Sequence, residues 1–548
     1  MCYIIIFFEF SIGNFIFANL NLTWIHLYYF IFFIYFFYLF FLFIFFIYFL
    51  LKKLPDHFVS INFVRSNSFQ LSSFILLTLL FFYILPVVFL IFLWKGPVVL
   101  LWFSHMFVNN FQLKFFCLSL VLFFIIFFLI FQIKYFSSQS SLDFLILLSF
   151  LLGWFYFLFG ITNFYTLIFF FEILTVIAFS LLVSSFFLIT DVTNKNVYFA
   201  YYTKLKYFFN SNFFSIILFF WISAITSIFL FLFISLYSYF VLVFDWNLID
   251  LFSMFIFAYS NVYVKWFLIF FLLIFFLLVL FKCGLPPFLF WKSLFFINLN
   301  ITFVAVYTLY FYYLLFSYFI YLFTFLTGIL FTLLSHVLFF FFLFLLLYMI
   351  LNLNHIYYTK LFVTFSSFIN SILMFFFVFN VINLYEWFSV MYYILFYFFI
   401  YNLSMILFFN NWLNNSNVEL TTLNQFVNLN MLYFKRFIFV YCIASIAGLP
   451  PFVLFFLKLT LLTNILTVGF AYTMLIIFGF LFISLVFYFQ NIKFLLTPYK
   501  FNYVSNIVNK DELFLERFFS LNLILIVLLL FGVFFLNDLF ITFFWLFV

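Results

Sequence analysis

Three ionisable side chains stand alone in long apolar tracts. Residues 144–190 comprise 47 residues with one charge, Glu172; residues 266–291 comprise 26 with one, Lys282; residues 437–492 comprise 56 with one, Lys458. A carboxylate or ammonium near the centre of a bilayer costs roughly 2.5–3.5 kcal/mol on insertion scales, so such residues face a bundle interior, a partner or a water-filled path. The blander reading of each is a snorkelling or paired structural residue.

The surroundings of the two lysines favour chemistry. Lys282 lies in FKCGLPPFLFWK, two residues before Gly284 and four before Pro286; Lys458 lies in SIAGLPPFVLFFLK, seven residues after Pro451. Proline removes a backbone donor and clashes with the preceding turn, so each Pro pair predicts a helix broken inside the membrane. Freed carbonyls and half-helix ends then need polar partners, as in transporter sites near the midplane. The string Gly-Leu-Pro-Pro-Phe is identical at 284–288 and 448–452, compatible with an internal structural repeat, although the lysine precedes one copy and follows the other. Burial disfavours a charged amine and a nearby carboxylate favours it, so moving Glu172 toward or away from Lys282 would switch proton affinity. Two lysines are poor ligands for a metal cation. The pattern therefore points to a proton relay, with a fixed ion pair as the competing reading.

The elements that must hold these residues are membrane helices. The 548 residues are 71% hydrophobic and 6% charged, against about half apolar and a quarter charged in soluble domains. Crossing a bilayer takes roughly 20 mostly apolar residues, and such runs predict an all-α integral membrane protein of fourteen spans. They fall near 24–51, 73–94, 115–133, 144–161, 163–187, 213–240, 266–292, 301–323, 327–350, 361–381, 388–410, 437–461, 464–490 and 519–545. We read one polytopic domain: an apolar N-terminal extension (1–23), three first helices (24–133), two repeats (144–323 and 327–490) and a C-terminal helix (519–548). Fifteen of the twenty basic residues, Lys292 and Lys360 among them, fall in loops after odd-numbered spans; three (Lys95, Lys114, Lys265) follow even-numbered spans, leaving Lys282 and Lys458 inside. That asymmetry predicts both termini on the outer side. Residues 2–20 carry Glu9, Asn14 and Asn19 and read as interfacial or as a fifteenth span. Trp24–Leu51 is too long for a signal-peptide core, so no removed leader is expected.

Other chemistries find little support. Cys2, Cys117, Cys283 and Cys442 are widely separated, without a Cys-x-x-Cys pair that would suggest zinc or an iron–sulfur cluster. Ten glycines form no phosphate-binding loop. The 122 phenylalanines suggest AT-rich codon usage and an organellar genome, and read as packing or lipid-facing surface.

At these motifs the sequence resembles the subunit 2 family of NADH:ubiquinone oxidoreductase, antiporter-like proteins of respiratory complex I, over most of its length. SLDFLILLSFLLGW and NFYTLIFFFEILTV look like the family's fourth and fifth spans, with Glu172 at its characteristic glutamate. KLKYFFNSNF around Lys206 resembles the start of the sixth, and FKCGLPPFLFWK the seventh, with Lys282 as the central lysine and Trp291 in register. KLFVTFSSF (Ser366, Ser367) resembles the entry to the tenth, MYYILFYFFIYN the eleventh, and SIAGLPPFVLFFLK the twelfth, making Lys458 the terminal-channel lysine.

The departures are specific. The family's eighth-span lysine falls in register at Tyr312, and residues 293–359 contain no Asp, Glu, Lys or Arg. Leu289 and Asn370 replace usual histidines. If the resemblance holds, the middle of the relay relies on Tyr307, Tyr310 and Tyr312, on water, or on His336, whose structural reading is the stronger. Lys206 serves equally as a route entrance or a positive-side anchor. Lys265 and Lys292 read as interface anchors flanking the seventh span, and Asp143, Glu386 and Asp538 as solvated residues near span ends.

The resemblance implies an antiporter-like fold with two inverted repeats, and proton translocation through Glu172, Lys282 and Lys458, in the inner mitochondrial membrane with both termini on the intermembrane-space side. It implies other membrane-arm subunits and lipid as partners, no nucleic acid, and no direct NADH binding. FMN, iron–sulfur clusters and quinone would reside in partner subunits, with no cofactor in this chain. The competing readings are a cation/proton antiporter subunit without redox partners and a structural scaffold.

Overall fold

The computed structural model describes residues 99–101, 106–108, scattered helical positions between 112 and 126, and residues 139–190, 200–240, 245, 262–285, 288–325, 358–379, 384–415, 433–467, 471–496 and 525–547. The N-terminal extension, the expected spans 24–51, 73–94 and 327–350, and His336 lie outside them, as does most of 115–133.

Helices dominate because apolar runs in a bilayer must satisfy their backbone internally. In chain order they are α1 (Gln139–Leu158), α2 (Phe164–Thr190), α3 (Ala200–Phe240), α4 (Val262–Cys283) and α5 (Leu289–Ile297). Next comes a continuous helix of α6 (Ile301–Val306), a π-helical turn (Tyr307–Phe311) and α7 (Tyr312–Phe325). There follow α8 (Thr359–Phe379), α9 (Leu384–Asn415), α10 (Tyr433–Ala447), α11 (Val453–Thr467), α12 (Ala471–Leu496) and α13 (Leu536–Phe547). One small departure from an all-helical chain is a hairpin, β1 (Val99–Leu101) antiparallel to β2 (Met106–Val108), with Leu100 opposite Phe107.

Four described helical stretches are long and apolar enough to cross a membrane: Phe164–Ser185, Phe213–Ser238, Ile301–Leu322 and Met391–Trp412. Their surroundings differ sharply. Ile301–Leu322 is buried along nearly its whole length, whereas α3 turns Phe214, Phe220, Trp221 and Phe229 outward, each more than half exposed. A band of large apolar side chains of that extent suits acyl chains rather than water. Hydroxyls inside the helices are satisfied locally, as Ser149 donates to Ile146 O and Ser185 to Leu182 O.

Two groups of helices result. In the first, α2 packs on α1 and α3, and α3 on α4 and α5; in the second, α9 packs on α10, α11 and α13, and α12 on α10, α11 and α8. The groups meet where α5 packs on α8 and where the π-helical turn and α7 contact α8 and α9. Asn300 Nδ2 donates to Ser185 O, tying the start of α6 to α2.

The expected break lies in both copies of Gly-Leu-Pro-Pro-Phe, but glycine makes it before proline is reached. Gly284 has φ of 63° and Gly448 of 67°, left-handed values that glycine adopts without steric cost. At the first, Gly284 N donates to Phe281 O (3.2 Å) and Leu285 N to Leu280 O (3.0 Å); at the second, Gly448 N donates to Ser445 O (3.1 Å) and Leu449 N to Ala444 O (3.1 Å). Each pair is a Schellman motif, which closes a helix C-terminus by using its last carbonyls. The chain then restarts as α5 and α11, so expected spans 266–292 and 437–461 are each two helical segments. Near the C-terminus, Phe531 ends a helical stretch and α13 restarts at Leu536, interrupting the expected span 519–545 around Gly532.

Candidate proton-transfer site

Lys282 occupies the last turn of α4. Its ammonium donates to Glu172 Oε1 of α2, an ion pair linking residues 110 positions apart. The lysine side chain is 2% exposed and the glutamate side chain 35%, so the pair runs from the bundle interior to its outer surface. Lys282 does not serve the carbonyls freed by the break. Tyr307, from the π-helical turn, donates its hydroxyl to Cys283 O at 3.4 Å. Trp291 closes the other side: a Cβ on Gly284 would meet its ring at 2.8 Å.

At the second break the lysine itself does that work. Lys458 Nζ donates to Ala447 O at 2.7 Å, and that carbonyl, like Cys283 O, belongs to the residue before the glycine. A cation at a helix C-terminus also meets the negative end of the helix dipole. Lys458 is 5% exposed, and a Cβ on Gly448 would lie 3.1 Å from its Nζ. The sequence thus places both lysines correctly beside helix breaks, but they bind different partners.

Lys292 is not the interface anchor its position suggested. It is fully buried, because the chain continues beyond it through α5 to Ile297 and α5 packs against α8. Its Nζ stands 3.4 Å from the centroid of the Tyr312 ring, 5.2 Å from that of Phe368 and 5.6 Å from those of Phe296 and Tyr307. Among the described residues it has no hydrogen-bond partner. Lys360, assigned to a loop from sequence, lies in the first turn of α8 and donates to Ile297 O (3.3 Å) and Leu299 O, where α5 ends.

Beside Lys292 runs a row of buried polar groups, of which Tyr312, Ser366 and Asn370 already stood out in the sequence. Tyr312 donates to Ser371 Oγ at 2.7 Å, Tyr397 donates to Asn370 Oδ1, and the hydroxyls of Tyr401 and Ser366 share a 3.2 Å hydrogen bond. Asn370 Nδ2 donates to Ser366 O at 2.8 Å. Ser366 and Asn370 lie four residues apart on the face of α8 that meets α9, and Ser371, one residue on, faces Tyr312 of α7. The spacing of Ser366 and Asn370 was visible in the sequence and Tyr312 stood out by its register; Tyr397 and Tyr401 were indistinguishable among 38 tyrosines.

The remaining candidates fare unevenly. Lys206 and Asp143 lie near the starts of α3 and α1, and their side chains are outside the described set. Lys265 is half-buried in the first turn of α4, and Asp538 is exposed in the first turn of α13. Glu386 lies in the first turn of α9, with its side chain outside the described set.

This architecture occurs in solved membrane assemblies. A chain of respiratory complex I from Thermus thermophilus, solved with bound aureothin, superposes with a TM-score of 0.57 at 13% identity, over 87% of this chain and 97% of that one. A chain of the membrane-bound sulfane sulfur reductase, an archaeal respiratory membrane complex, gives 0.61 at 13% identity over 79% and 81%. A chain of the Mrp complex from Dietzia sp. DQ12-45-1b gives 0.58 at 11% identity over 80% and 77%. At these identities the likeness is one of fold: this chain shares its helical architecture with chains of these three complexes. No family model and no curated protein matches the sequence.

Proposed function

We propose that this chain is an antiporter-like, subunit-2-type membrane component of respiratory complex I in the inner mitochondrial membrane, and that it carries protons through Glu172, Lys282 and Lys458. The Lys282–Glu172 pair carries the proposal: a lysine at a broken helix end leaves the backbone cap to Tyr307 and binds a carboxylate on another helix. That arrangement allows protonation to be exchanged when the pair separates, because losing the carboxylate and losing contact with water both act against the ammonium. The shared fold with complex I and the sulfane sulfur reductase supports a redox-driven assembly. FMN, iron–sulfur clusters and quinone would then belong to other subunits, with neighbouring membrane-arm subunits covering part of the apolar surface.

The Mrp likeness supports a second reading, a cation/proton antiporter subunit without redox partners. Isolation in mild detergent separates the two. Co-migration with NADH dehydrogenase activity is the outcome expected of a complex I subunit, and migration without it would favour the Mrp-like reading. Replacing Lys282 with alanine in the reconstituted complex then tests the proton route itself.

A further inference from the structure

The buried amine of Lys292 lies where the two helix groups meet, and neither a cap nor an ion pair explains it. Lys282 has its carboxylate and Lys458 its carbonyl, but Lys292 Nζ has only ring faces among the described residues. A cation–π contact contributes about 2 kcal/mol or somewhat more when desolvated. Burying an ammonium costs several kcal/mol even after relaxation. The rings therefore offset only part of the cost, and a charge on Lys292 needs water or a second charge beside it.

Its neighbours reach toward both helix groups. Tyr307 joins it to the first break, since its hydroxyl binds Cys283 O, next to Lys282, while its ring lies 5.6 Å from Lys292 Nζ. Tyr312 joins it to the second group, since its ring is 3.4 Å from the amine and its hydroxyl donates to Ser371 on α8. The Asn370–Tyr397 and Ser366–Tyr401 contacts continue that polar row toward α9. Hydroxyls both donate and accept, so those of Tyr312, Ser371, Ser366 and Tyr401 can each relay a proton once water joins them, whereas an all-aliphatic seam cannot.

We propose that Lys292 is a proton-carrying residue at the seam, linking the Lys282–Glu172 pair to the hydroxyl row on α8. The inference rests on the proton-translocating reading above. In the step, an N–H bond of the Lys292 ammonium breaks and an O–H bond forms on an adjacent water, which passes its own proton into the hydroxyl row. The amine keeps the electron pair and is reprotonated from the Lys282 side, so no oxidant or reductant is required. The middle of the route, which lacks a charge on the helix containing Tyr312, obtains one from α5.

The test uses the assembled complex reconstituted in vesicles, with NADH oxidation and proton uptake measured together. Lys292→Arg keeps a cation against the rings but does not release its proton, so we expect normal assembly and about a hundred-fold or greater loss of pumping-linked turnover, the low end for removing a proton-transfer group. Lys292→Met should behave likewise. Wild-type pumping in either variant would overturn the proposal, as would failure of both to assemble, which would make Lys292 a packing residue. Lys282→Ala run in parallel keeps the two claims apart. Impaired Lys282→Ala beside normal Lys292→Arg defeats this inference alone, and normal pumping in Lys282→Ala defeats the broader reading.

Discussion

The two Gly-Leu-Pro-Pro-Phe segments share five residues, the same Schellman hydrogen bonds and the same left-handed glycine, yet they deploy their lysines in opposite ways. Where the lysine precedes the glycine it sits on the last turn of α4 and reaches sideways to Glu172, and a tyrosine from another helix caps the end. Where it follows, it sits on α11 and reaches back to cap α10 directly. Helical angle separates Lys292 from Lys458 as well. They lie eight and ten residues beyond their glycines, and two residues on an α-helix turn through about 200°, so one faces the seam and the other the break. The break is a reusable backbone device. The side of it on which a lysine is placed, and beyond the break its helical angle, decide whether that lysine serves an ion pair, a seam or a helix end.

The widest difference should appear at the glycines. Gly284→Ala forces a Cβ into left-handed backbone and into the rigid Trp291 ring, so we expect a loss of about 3 kcal/mol or more and a poorly assembled complex. Gly448→Ala meets the flexible end of Lys458 instead, so its cost should be about 1–2 kcal/mol of backbone strain, with pumping reduced in a complex that still assembles. Thermal denaturation of the two purified complexes checks the order, and equal losses would deny the asymmetry.

Glu172→Gln comes next. It strips the buried Lys282 of its counter-charge, and because Glu172 is one-third exposed we expect about 1–3 kcal/mol, less than the loss on breaking a fully buried pair. Adding Lys282→Met should recover stability while pumping stays low; additive losses would mean that the pair is not coupled. Lys458→Met removes a charge together with its cap, so stability should change by about 1 kcal/mol or less while pumping falls. The smallest effect belongs to Tyr307→Phe. It removes one long hydrogen bond, leaves every charge in place and should cost about 0.5 kcal/mol, seen as a small shift in melting temperature.

The sequence revealed most where physics leaves few options. A lone charge in an apolar tract must find a partner, and Glu172, Lys282 and Lys458 were legible for that reason. Helices α1, α2, α8 and α9 follow apolar runs and sit within a few residues of where hydropathy puts them. Lys292 was misread because the run 266–292 looks like one span ending at a cation, a common interfacial pattern. The glycine at 284 ends that helix early, so Lys292 belongs to a second segment that turns into the seam. Tyr397 and Tyr401 were invisible for a different reason. Their partners Asn370 and Ser366 lie on another helix, and no local pattern shows which of many tyrosines faces a polar row.

The central claim is that a lysine at the first break carries protons rather than merely holding two helices together. Its most direct test is the proton-to-electron ratio of the reconstituted complex carrying Lys282→Ala. A lowered ratio or a collapse of turnover, in a complex that assembles normally, is the predicted result. An unchanged ratio at unchanged turnover would contradict the account and leave the Lys282–Glu172 pair a structural bridge.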